Sequence, residues 1–401
     1  MSVFPTFSHS DLRRLLIAQC PADFADWLDF VAIGALLAFV WQAPPFVFAL
    51  LAVAMGLPYL IVGPLAGAVV DRLPIRSVLL GSNIGRALAT AMFAFAPGWE
   101  TLLVLVALRN SVDAFFTPAK QAAIQALTDP SERNSANGIS MAINQSSKVI
   151  APALGGGLLA IFAPQPVFAV NACVSLGAAY LIWRMDPIDR PTDNSDQDQI
   201  SILRQLRDAA RLVRSSAVLK LAMGLMVASF FGMFFYDTLI APMAAGLGYS
   251  QTDLGLSLAV IGGGGLIGAL SVTALGAKAK PFLLIGVASI VSGSLVICLG
   301  GAEVIGLPTS RVVLGPVLFV VGVAGGLAFV PFRTLLQDHT PAHQMGQITA
   351  FSEALNTLAL LTAPFAGAAI ASVTSLGVAF MIGGGVTVVV AVFALANWRR
   401  A

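Results

Sequence analysis

Residues 22–40, ADFADWLDFVAIGALLAFV, are the stretch that decides the fold. The stretch is apolar and long enough to form most of a membrane-spanning helix, which needs about 20 residues. It nevertheless contains three carboxylates, Asp23, Asp26 and Asp29, whose spacing places them on one broad face of a helix. An ionisable group at bilayer depth costs roughly 2.5–3.5 kcal/mol on insertion scales. The stretch therefore predicts a helix that faces a bundle interior or a water-filled cavity, where something polar or ionic is handled.

The composition of the whole chain is that of a membrane protein. Of its 401 residues, 57% are hydrophobic and only 10% are charged, and the mean hydropathy is +0.87. Soluble domains carry about 25% charged residues. The histidines, His9, His339 and His343, fall outside the apolar segments, and no P-loop pattern is present. A membrane enzyme is therefore disfavoured, and we predict no catalytic residues, no metal, no cofactor and no nucleic-acid partner.

Twelve segments are apolar and long enough to span a bilayer, which predicts an all-α polytopic membrane protein. Their approximate limits are 14–40, 46–70, 77–96, 101–126, 136–163, 166–185, 217–245, 251–276, 281–301, 311–337, 344–373 and 376–398. If the N-terminus is inside, the outer flanks of these spans hold only one basic residue, Arg311. This asymmetry predicts that both termini are cytoplasmic. We expect a multi-pass protein of the cell membrane, in a bacterium the inner membrane.

A polar stretch at residues 186–199 divides the chain near its middle. Residues 200–214 then form an amphipathic pattern, with arginines on one side and apolar residues on the other. We expect this helix to lie on the anionic inner leaflet and tether the halves, with docking to protein as the alternative. The predicted domains are a six-helix bundle at 1–185, a cytoplasmic linker at 186–216 and a second six-helix bundle at 217–401.

The two halves repeat each other at an offset of 212 residues. The matching pairs are Thr128 with Thr340, Asn144 with Asn356, Pro152 with Pro364, and Gly155 with Gly367. Two pseudo-symmetric bundles of six spans are the layout of a secondary transporter, which binds its substrate near the midplane between the halves.

The loop between the second and third spans carries a recognisable motif. It contains Gly67, Asp71, Arg72, Arg76 and Leu79 at the spacing G-x-x-x-D-R-x-G-R-K-x-x-L, although Pro74 and Ile75 depart from that pattern. The motif resembles the loop signature of the major facilitator superfamily. Gly67 would let two helices approach closely, and Asp71 could pair with Arg72 or Arg76. We predict a latch that holds one conformation; the alternative is a basic turn that serves only topology.

Two further motifs resemble those of antiporters in this superfamily. Arg109 in the fourth span is similar to an arginine associated with proton coupling, with Asp113 where a glycine usually follows. At i, i+4 the two can pair on one face, so a structural ion pair is the alternative. In the fifth span, Pro152, Gly155 and Gly156 resemble an antiporter signature and predict a hinge.

Short matches in the first half point to one branch of the family. Arg86 in the third span, residues 116–124 and residues 134–138 resemble the branch that includes macrolide-efflux proteins and the enterobactin exporter. This resemblance implies a drug:proton antiporter.

The charges within the spans are concentrated in the first half of the chain. A carboxylate that alternates between wet and paired environments can load and release a proton. We predict that Asp29 or Asp26 carries the proton, with Arg109 or Arg86 as modulator. The predicted coupling residues are Asp26, Asp29, Arg86, Arg109 and Asp113. The predicted substrate cavity contains Asp23, Trp27, Phe30, Phe116, Lys148, Phe234, Asp237 and Glu353, of which Asp237 and Glu353 could bind a cationic substrate.

The sequence thus favours a monomeric, proton-coupled exporter that moves an amphipathic small molecule by alternating access. The substrate class would be a drug or a siderophore-like metabolite, and the partners are the substrate, protons and the lipid bilayer. Two alternatives stay open on the same fold. One is an importer or a lysolipid flippase or facilitator; the other is a non-transporting receptor or scaffold.

Overall fold

The computed structural model describes residues 10–70, 72–129, 132–188, 202–275, 280–307, 311–341 and 344–398. All regular structure in these ranges is helical. A π-helical turn, Leu36–Val40, continues the first helix. The α-helices are α1 Ser10–Ala35, α2 Pro45–Val70, α3 Ile75–Phe93, α4 Trp99–Asp113, α5 Phe116–Leu127, α6 Arg133–Ile161, α7 Pro164–Trp183, α8 Ile202–Ser215, α9 Ala217–Asp237, α10 Ile240–Gly246, α11 Gln251–Leu275, α12 Pro281–Val304, α13 Arg311–Asp338, α14 Met345–Val373 and α15 Leu376–Ala396.

The all-α membrane fold predicted from the sequence is confirmed. Among the described residues, nine helical segments are long and apolar enough to cross a membrane. The other three predicted spans correspond to α1, α3 and α6, which are helical throughout but more polar. The count of twelve spans therefore stays a prediction.

Two predicted spans are interrupted, each directly after an aspartate. The span predicted at 101–126 breaks between α4, which ends at Asp113, and α5. The span predicted at 217–245 breaks between α9, which ends at Asp237, and α10. In each case a proline, Pro118 or Pro242, stands five residues after the aspartate. Because a proline has no N–H and its ring crowds the carbonyl four residues earlier, the helix ends before it.

The helices cluster into two compact units. Unit 1 comprises Met1–Ala43, Val53–Asn194 and Tyr249–Ala259. Unit 2 comprises Pro44–Ala52, Ser195–Gly248 and Val260–Ala401. The units follow the two sequence halves except for short parts of α2 and α11. The predicted linker lies partly at residues 189–201, outside the described residues, and the predicted domain limits remain a proposal.

Helix packing inside the units follows the internal repeat. In unit 1, α1 packs on α6 and α7; in unit 2, α9 packs on α14 and α15. Both ends of α6 and α14 differ by 212 residues. A methyl group on Gly155 would meet the Leu28 side chain of α1 at 2.9 Å, and one on Gly367 would meet the carbonyl oxygen of Phe235 of α9 at 1.8 Å. The repeated glycines therefore serve the same helix contact in each unit.

The linker helix α8 packs on unit 2. Its residues Ala209 and Val213 are buried in a core with Leu219 of α9 and Ile348 of α14. Arg211 and Arg214 on the other side are exposed. The described apolar residues of α8 therefore contact protein, which agrees with the alternative interpretation of this helix. Its exposed arginines remain available to face a membrane surface. Nothing is described of the side chains of residues 202–206 or of Ile200.

The pair α12 and α15 is held together at glycines. Gly384 of α15 faces Gly293 of α12, and a methyl group at Gly384 would lie 2.7 Å from the Gly293 carbonyl oxygen. A methyl group at the next residue, Gly385, would meet no heavy atom within 4 Å. Small residues thus allow close backbone approach at one position of α15 and not at its neighbour.

We predict opposite effects for alanine at these two neighbouring glycines. Gly384→Ala should lower the free energy of unfolding by about 1–3 kcal/mol, because overpacked backbone must separate. Gly385→Ala makes the same change in helix propensity without the clash and should be neutral or stabilising. Thermal unfolding of the purified variants in detergent measures both. Equal melting temperatures for the two variants would contradict the contact.

Candidate functional site

Five charged side chains from three helices of unit 1 meet inside the protein. They are Asp26 and Asp29 of α1, Arg86 of α3, and Arg109 and Asp113 of α4, and together they are called the charge cluster below. These are the five residues predicted for proton coupling, so the structure brings that set together, whereas their role remains a proposal. Arg86 is 0% exposed, and only the Asp26 side chain, at 33%, has substantial exposure.

The ion pairs of the cluster run between helices. Asp26 Oδ1 contacts a guanidinium nitrogen of both Arg86 and Arg109. Arg86 Nη1 lies 2.8 Å from Asp113 Oδ1, and Arg109 Nε lies 3.7 Å from Asp29 Oδ2. The nearest charged partners of Arg109 and Asp113 lie on other helices, and the two residues also interact electrostatically with each other. The structural alternative for this pair therefore stays a prediction. Removing either arginine would leave a buried carboxylate with fewer cationic partners, which is costly in an apolar interior.

Neutral side chains surround the cluster and were missed by the sequence analysis. The Tyr59 hydroxyl of α2 donates a hydrogen bond to Asp113, and Thr90 Oγ1 of α3 donates to Asp29 Oδ2 at 3.0 Å. Asn171 of α7 lies beside Asp29 but its Nδ2 donates to the carbonyl of Ala25 at 2.9 Å. Asn171 is a polar residue in the apolar helix α7, and Thr90 lies one turn after Arg86 on α3, which are usable signals. A tyrosine in a membrane span gives none.

Asp29 is the least compensated carboxylate of the cluster. Its Oδ2 accepts from Thr90 and faces Arg109 at the longest ion-pair distance of the set. Its Oδ1 is buried and accepts no hydrogen bond among the described residues. A buried carboxylate oxygen without a donor is costly when ionised, whereas a protonated carboxyl removes the charge from that environment.

Asp23 belongs to a separate polar group one turn earlier on α1. Its Oδ2 accepts from Gln19 Nε2 at 2.7 Å and from Asn144 Nδ2 of α6 at 3.2 Å. Ser140 exchanges hydrogen bonds with Gln19, which fixes this arrangement. Lys120 of α5 lies near enough to Asp23 to interact with it electrostatically. Asp23 is thus buried and hydrogen-bonded by amides.

Apart from Asp23, the predicted cavity residues of unit 1 are aromatic or basic. The rings of Trp27 and Phe30 are 5.8 Å apart in an edge-on arrangement, and Lys148 Nζ lies 5.9 Å from the Trp27 ring centroid. Phe116 is buried, with Arg86 Cζ and Lys120 Nζ each 5.5 Å from its ring centroid. The contacts of Phe116 are therefore with cations, and they stabilise the buried positive charges.

The predicted cavity residues of unit 2 differ in their surroundings. Glu353 is exposed and forms an ion pair with Arg333 at 3.3 Å. Asp237, half-buried at the end of α9, has no ion pair or hydrogen bond to any described residue, although its pattern of helix break matches that of Asp113. Phe234 stacks on Phe230 with ring centroids 5.7 Å apart. Asp237 is thus a carboxylate at a helix break that has no cationic partner among the described residues of unit 2.

The cluster has no charged counterpart in unit 2. At the offset of 212 residues, Arg109 corresponds to Val321 and Asp113 to Gly325. The residues of the site therefore follow the concentration of charge in the first half of the chain that the sequence shows.

The predicted latch and hinge residues are only partly described. Arg72 is exposed, Arg76 donates to the carbonyl of Trp183, and Gly67 has no heavy atom near its missing side chain. Asp71 lies outside the described residues. Pro152 stands inside an unbroken α6, and Gly156 allows the backbone of Gly255 to approach within unit 1. Their roles as latch and hinge remain proposals.

The comparison with known protein families identifies the class of this chain. The family model described as the Major Facilitator Superfamily matches residues 15–361. The chain belongs to the major facilitator superfamily, so it is a membrane transporter and not an enzyme.

Several curated proteins are similar to the chain over most of its length. An uncharacterised MFS-type transporter of Bacillus subtilis, YfiS, is 24% identical over 96% of this chain and 92% of its own length. Macrolide efflux protein A of Enterococcus faecalis is 25% identical over 76% of this chain and 94% of its own length. Multidrug resistance protein MdtG of Salmonella schwarzengrund is 23% identical over 85% of this chain and 82% of its own length.

Solved structures match the fold at low sequence identity. A point mutant of the nucleoside transporter NupG aligns with a TM-score of 0.74 at 14% identity, covering 96% of this chain and 99% of its own. A D-xylose–proton symporter aligns with a TM-score of 0.73 at 14% identity, covering 96% and 97%. These two structures support the fold alone.

We predict that the charge cluster is also a requirement for stability. Arg86→Met removes the guanidinium that pairs with Asp113 and one of the two that pair with Asp26, and it should lower the free energy of unfolding by about 3–5 kcal/mol, because the buried Asp113 loses its cationic partner. The matched control is Arg333→Met, which breaks the exposed pair with Glu353 and should cost below about 1 kcal/mol. Thermal unfolding compares them. A fully stable Arg86→Met would show that the buried pairs do not support the fold.

Proposed function

We propose that this transporter is a proton-coupled exporter of an amphipathic small molecule and works by alternating access. The observation that carries the proposal is the uneven charge of the cluster. Asp26, Asp29 and Asp113 supply three negative charges when ionised, against two positive charges from Arg86 and Arg109. One bound proton makes the cluster neutral, and a neutral group is far cheaper inside a membrane than a charged one.

The neighbouring pair of opposite charges leaves this excess unchanged. Asp23 and Lys120 lie next to the cluster and contribute one charge of each sign. Lys148 of α6 lies over the Trp27 ring, on the aromatic side of the predicted cavity. The five residues of the cluster therefore keep one excess negative charge, which one bound proton would neutralise.

Asp29 is the proposed proton carrier. Asp26 is held by two guanidinium groups and Asp113 by Arg86 and Tyr59. The guanidinium nearest to Asp29, that of Arg109, lies 3.7 Å away, Arg86 acts on it at longer range, and Asp29 Oδ1 accepts no hydrogen bond from the described residues. A proton on that oxygen would leave two carboxylates balanced by two guanidinium groups. A small rotation of α1 relative to α4 would then shift Arg109 between Asp26 and Asp29, which gives loading and release. Asp26, which is partly exposed, is the route to water.

The names of similar proteins support the direction and substrate class. Two relatives that cover most of this chain are called a macrolide efflux protein and a multidrug resistance protein. Export of a lipophilic drug-like compound also fits the aromatic side chains beside the cluster, Trp27 and Phe30.

Transport measurements on liposomes test the coupling directly. The protein is reconstituted with a pH-sensitive dye inside, and lipophilic cations, macrolides, siderophores and lysolipids are added singly under a pH gradient. A substrate should drive a proton flux that Asp29→Asn reduces to the level of protein-free liposomes, because the asparagine cannot take up a proton. Glu353→Gln, which changes an exposed paired carboxylate, should leave the flux intact.

Two outcomes would contradict the proposed coupling. One is an unchanged proton flux in both Asp29→Asn and Asp26→Asn. The other is substrate movement without any proton flux in the wild-type protein, which would favour facilitated diffusion or lysolipid flipping on the same fold.

We further propose that Asp237 binds a positive charge on the substrate. It is the carboxylate at the break between α9 and α10, and no described cation pairs with it. Its aromatic neighbour Tyr236 packs on Phe380 with ring centroids 5.0 Å apart, which provides an apolar wall. A carboxylate beside aromatic rings is suited to a lipophilic cation.

Substitution of Asp237 should change substrate preference and leave proton coupling in place. Asp237→Asn should strongly reduce transport of cationic members of the panel and spare uncharged members. Glu353→Gln serves as the control, because that carboxylate already has a cationic partner. Equal losses for charged and uncharged substrates would argue against direct charge recognition.

We also propose a monomer in the bacterial inner membrane with both termini in the cytoplasm. The support for this orientation is the distribution of basic residues along the chain, which places Arg311 alone on the outer flanks.

A further inference from the structure

We infer that unit 2 contains a binding site for an anionic phospholipid, separate from the charge cluster. The site is a groove of about 490 Å³ between α8, α9, α14 and α15. Its walls are apolar, with Met223, Val227 and Phe231 on α9 facing Phe351 and Val386. The one polar side chain in its lining is Lys220.

The groove has the length and direction of a lipid chain. Lys220, Gly224, Val227 and Phe231 recur at helical spacing and form one stripe along α9. The eleven residue steps from Lys220 to Phe231 span about 16 Å of α-helix. The stripe therefore begins at Lys220, beside α8, and runs about half the depth of the hydrocarbon core of a bilayer.

Gly224 keeps the middle of the groove open. It is exposed, and a methyl group added to it would meet no heavy atom within 4 Å. Gly224 is therefore not needed to bring two helices close together. Gly367 differs, because a methyl group there would collide with the backbone of α9. The space beside Gly224 can hold part of a ligand.

The charges at the mouth indicate an anionic headgroup. Lys220 is exposed, and no carboxylate among the described residues pairs with it. Arg214 of α8 is exposed at the same end of α9, whereas the exposed Arg211 pairs with Asp208 at 3.4 Å and adds no net charge there. Basic groups at a membrane surface attract anionic lipids with about 1 kcal/mol per residue.

A phospholipid fits these features better than a polar solute does. A soluble metabolite needs several polar partners within its pocket, and the lining offers none beyond Lys220. A phospholipid presents its phosphate at the water boundary and its chain to the bilayer interior. The groove has the same order: Lys220 stands at one end of α9, and the apolar residues follow it along the helix. The occupant of the groove is therefore a phospholipid of the leaflet on the α8 side.

Native mass spectrometry of the purified full-length protein tests this site. The protein is released from micelles that contain phosphatidylglycerol or phosphatidylcholine with identical chains. The wild type should retain one phosphatidylglycerol in preference to phosphatidylcholine. Lys220→Gln should reduce that preference roughly fivefold. Gly224→Leu, which fills the groove and keeps Lys220, should remove retention of both lipids.

Two control variants match these changes outside the groove. Lys280→Gln removes another exposed lysine of unit 2, which lies over Trp398. Gly325→Leu adds the same side chain at another exposed glycine with open space. Both should retain phosphatidylglycerol as the wild type does. Size-exclusion chromatography checks folding, and Lys220→Gln, a surface substitution, still tests the site if Gly224→Leu does not fold.

Three results would overturn the assignment. The first is equal retention of phosphatidylglycerol by the wild type, Lys220→Gln and Gly224→Leu. The second is an unchanged lipid preference in Lys220→Gln, which would mean that the groove holds a chain without a charged headgroup. The third is loss of substrate transport in Gly224→Leu with lipid retention intact, which would assign the groove to the transport route.

Discussion

The arrangement of unit 1 depends on the need to neutralise the carboxylates of α1. Asp26 and Asp29 cannot lie inside an apolar bundle unless cations come to them from other helices. Arg86 of α3 and Arg109 of α4 supply those cations, and Asp113 completes the set. The ion pairs therefore constrain how the helices that carry these residues can rotate about α1. Three carboxylates face two guanidinium groups, so the arrangement that holds the helices together also has the excess negative charge on which the proposed proton binding rests.

The internal repeat explains the helix packing, whereas the charged residues do not follow the repeat and distinguish the two units. Gly155 and Gly367 bring equivalent helices together in the two units. The breaks after Asp113 and Asp237 resemble each other locally, since each aspartate precedes a proline by five residues. They do not correspond in the repeat, which pairs Asp113 with Gly325. Asp113 has a guanidinium partner, and Asp237 has none among the described residues. The two units thus differ in their charged residues: unit 1 carries the cluster, and unit 2 carries a carboxylate at a helix break of its own.

The helices and the charged residues of the site could be predicted from the sequence, but not their pairing. Charges within apolar segments are conspicuous, so Asp29, Arg86 and Arg109 were found. Which groups pair depends on the rotation of whole helices, which periodicity does not give. The sequence therefore could not show that the nearest charged partners of Arg109 and Asp113 lie on α1 and α3. Pro118 did carry the signal for a helix break. Tyr59 gave no signal, since tyrosine is ordinary in a membrane span and its role appears only when α2 reaches α4.

The most direct measurement of proton binding at the cluster is infrared difference spectroscopy of the purified protein during a pH titration. A protonated carboxyl group has a carbonyl band distinct from those of an ionised carboxylate and of the peptide group. The wild type should show one buried carboxyl band that titrates, that Asp29→Asn removes and that Glu353→Gln leaves in place. Absence of a titrating band in the wild type, or its persistence in Asp29→Asn, would contradict the assignment of the proton to Asp29.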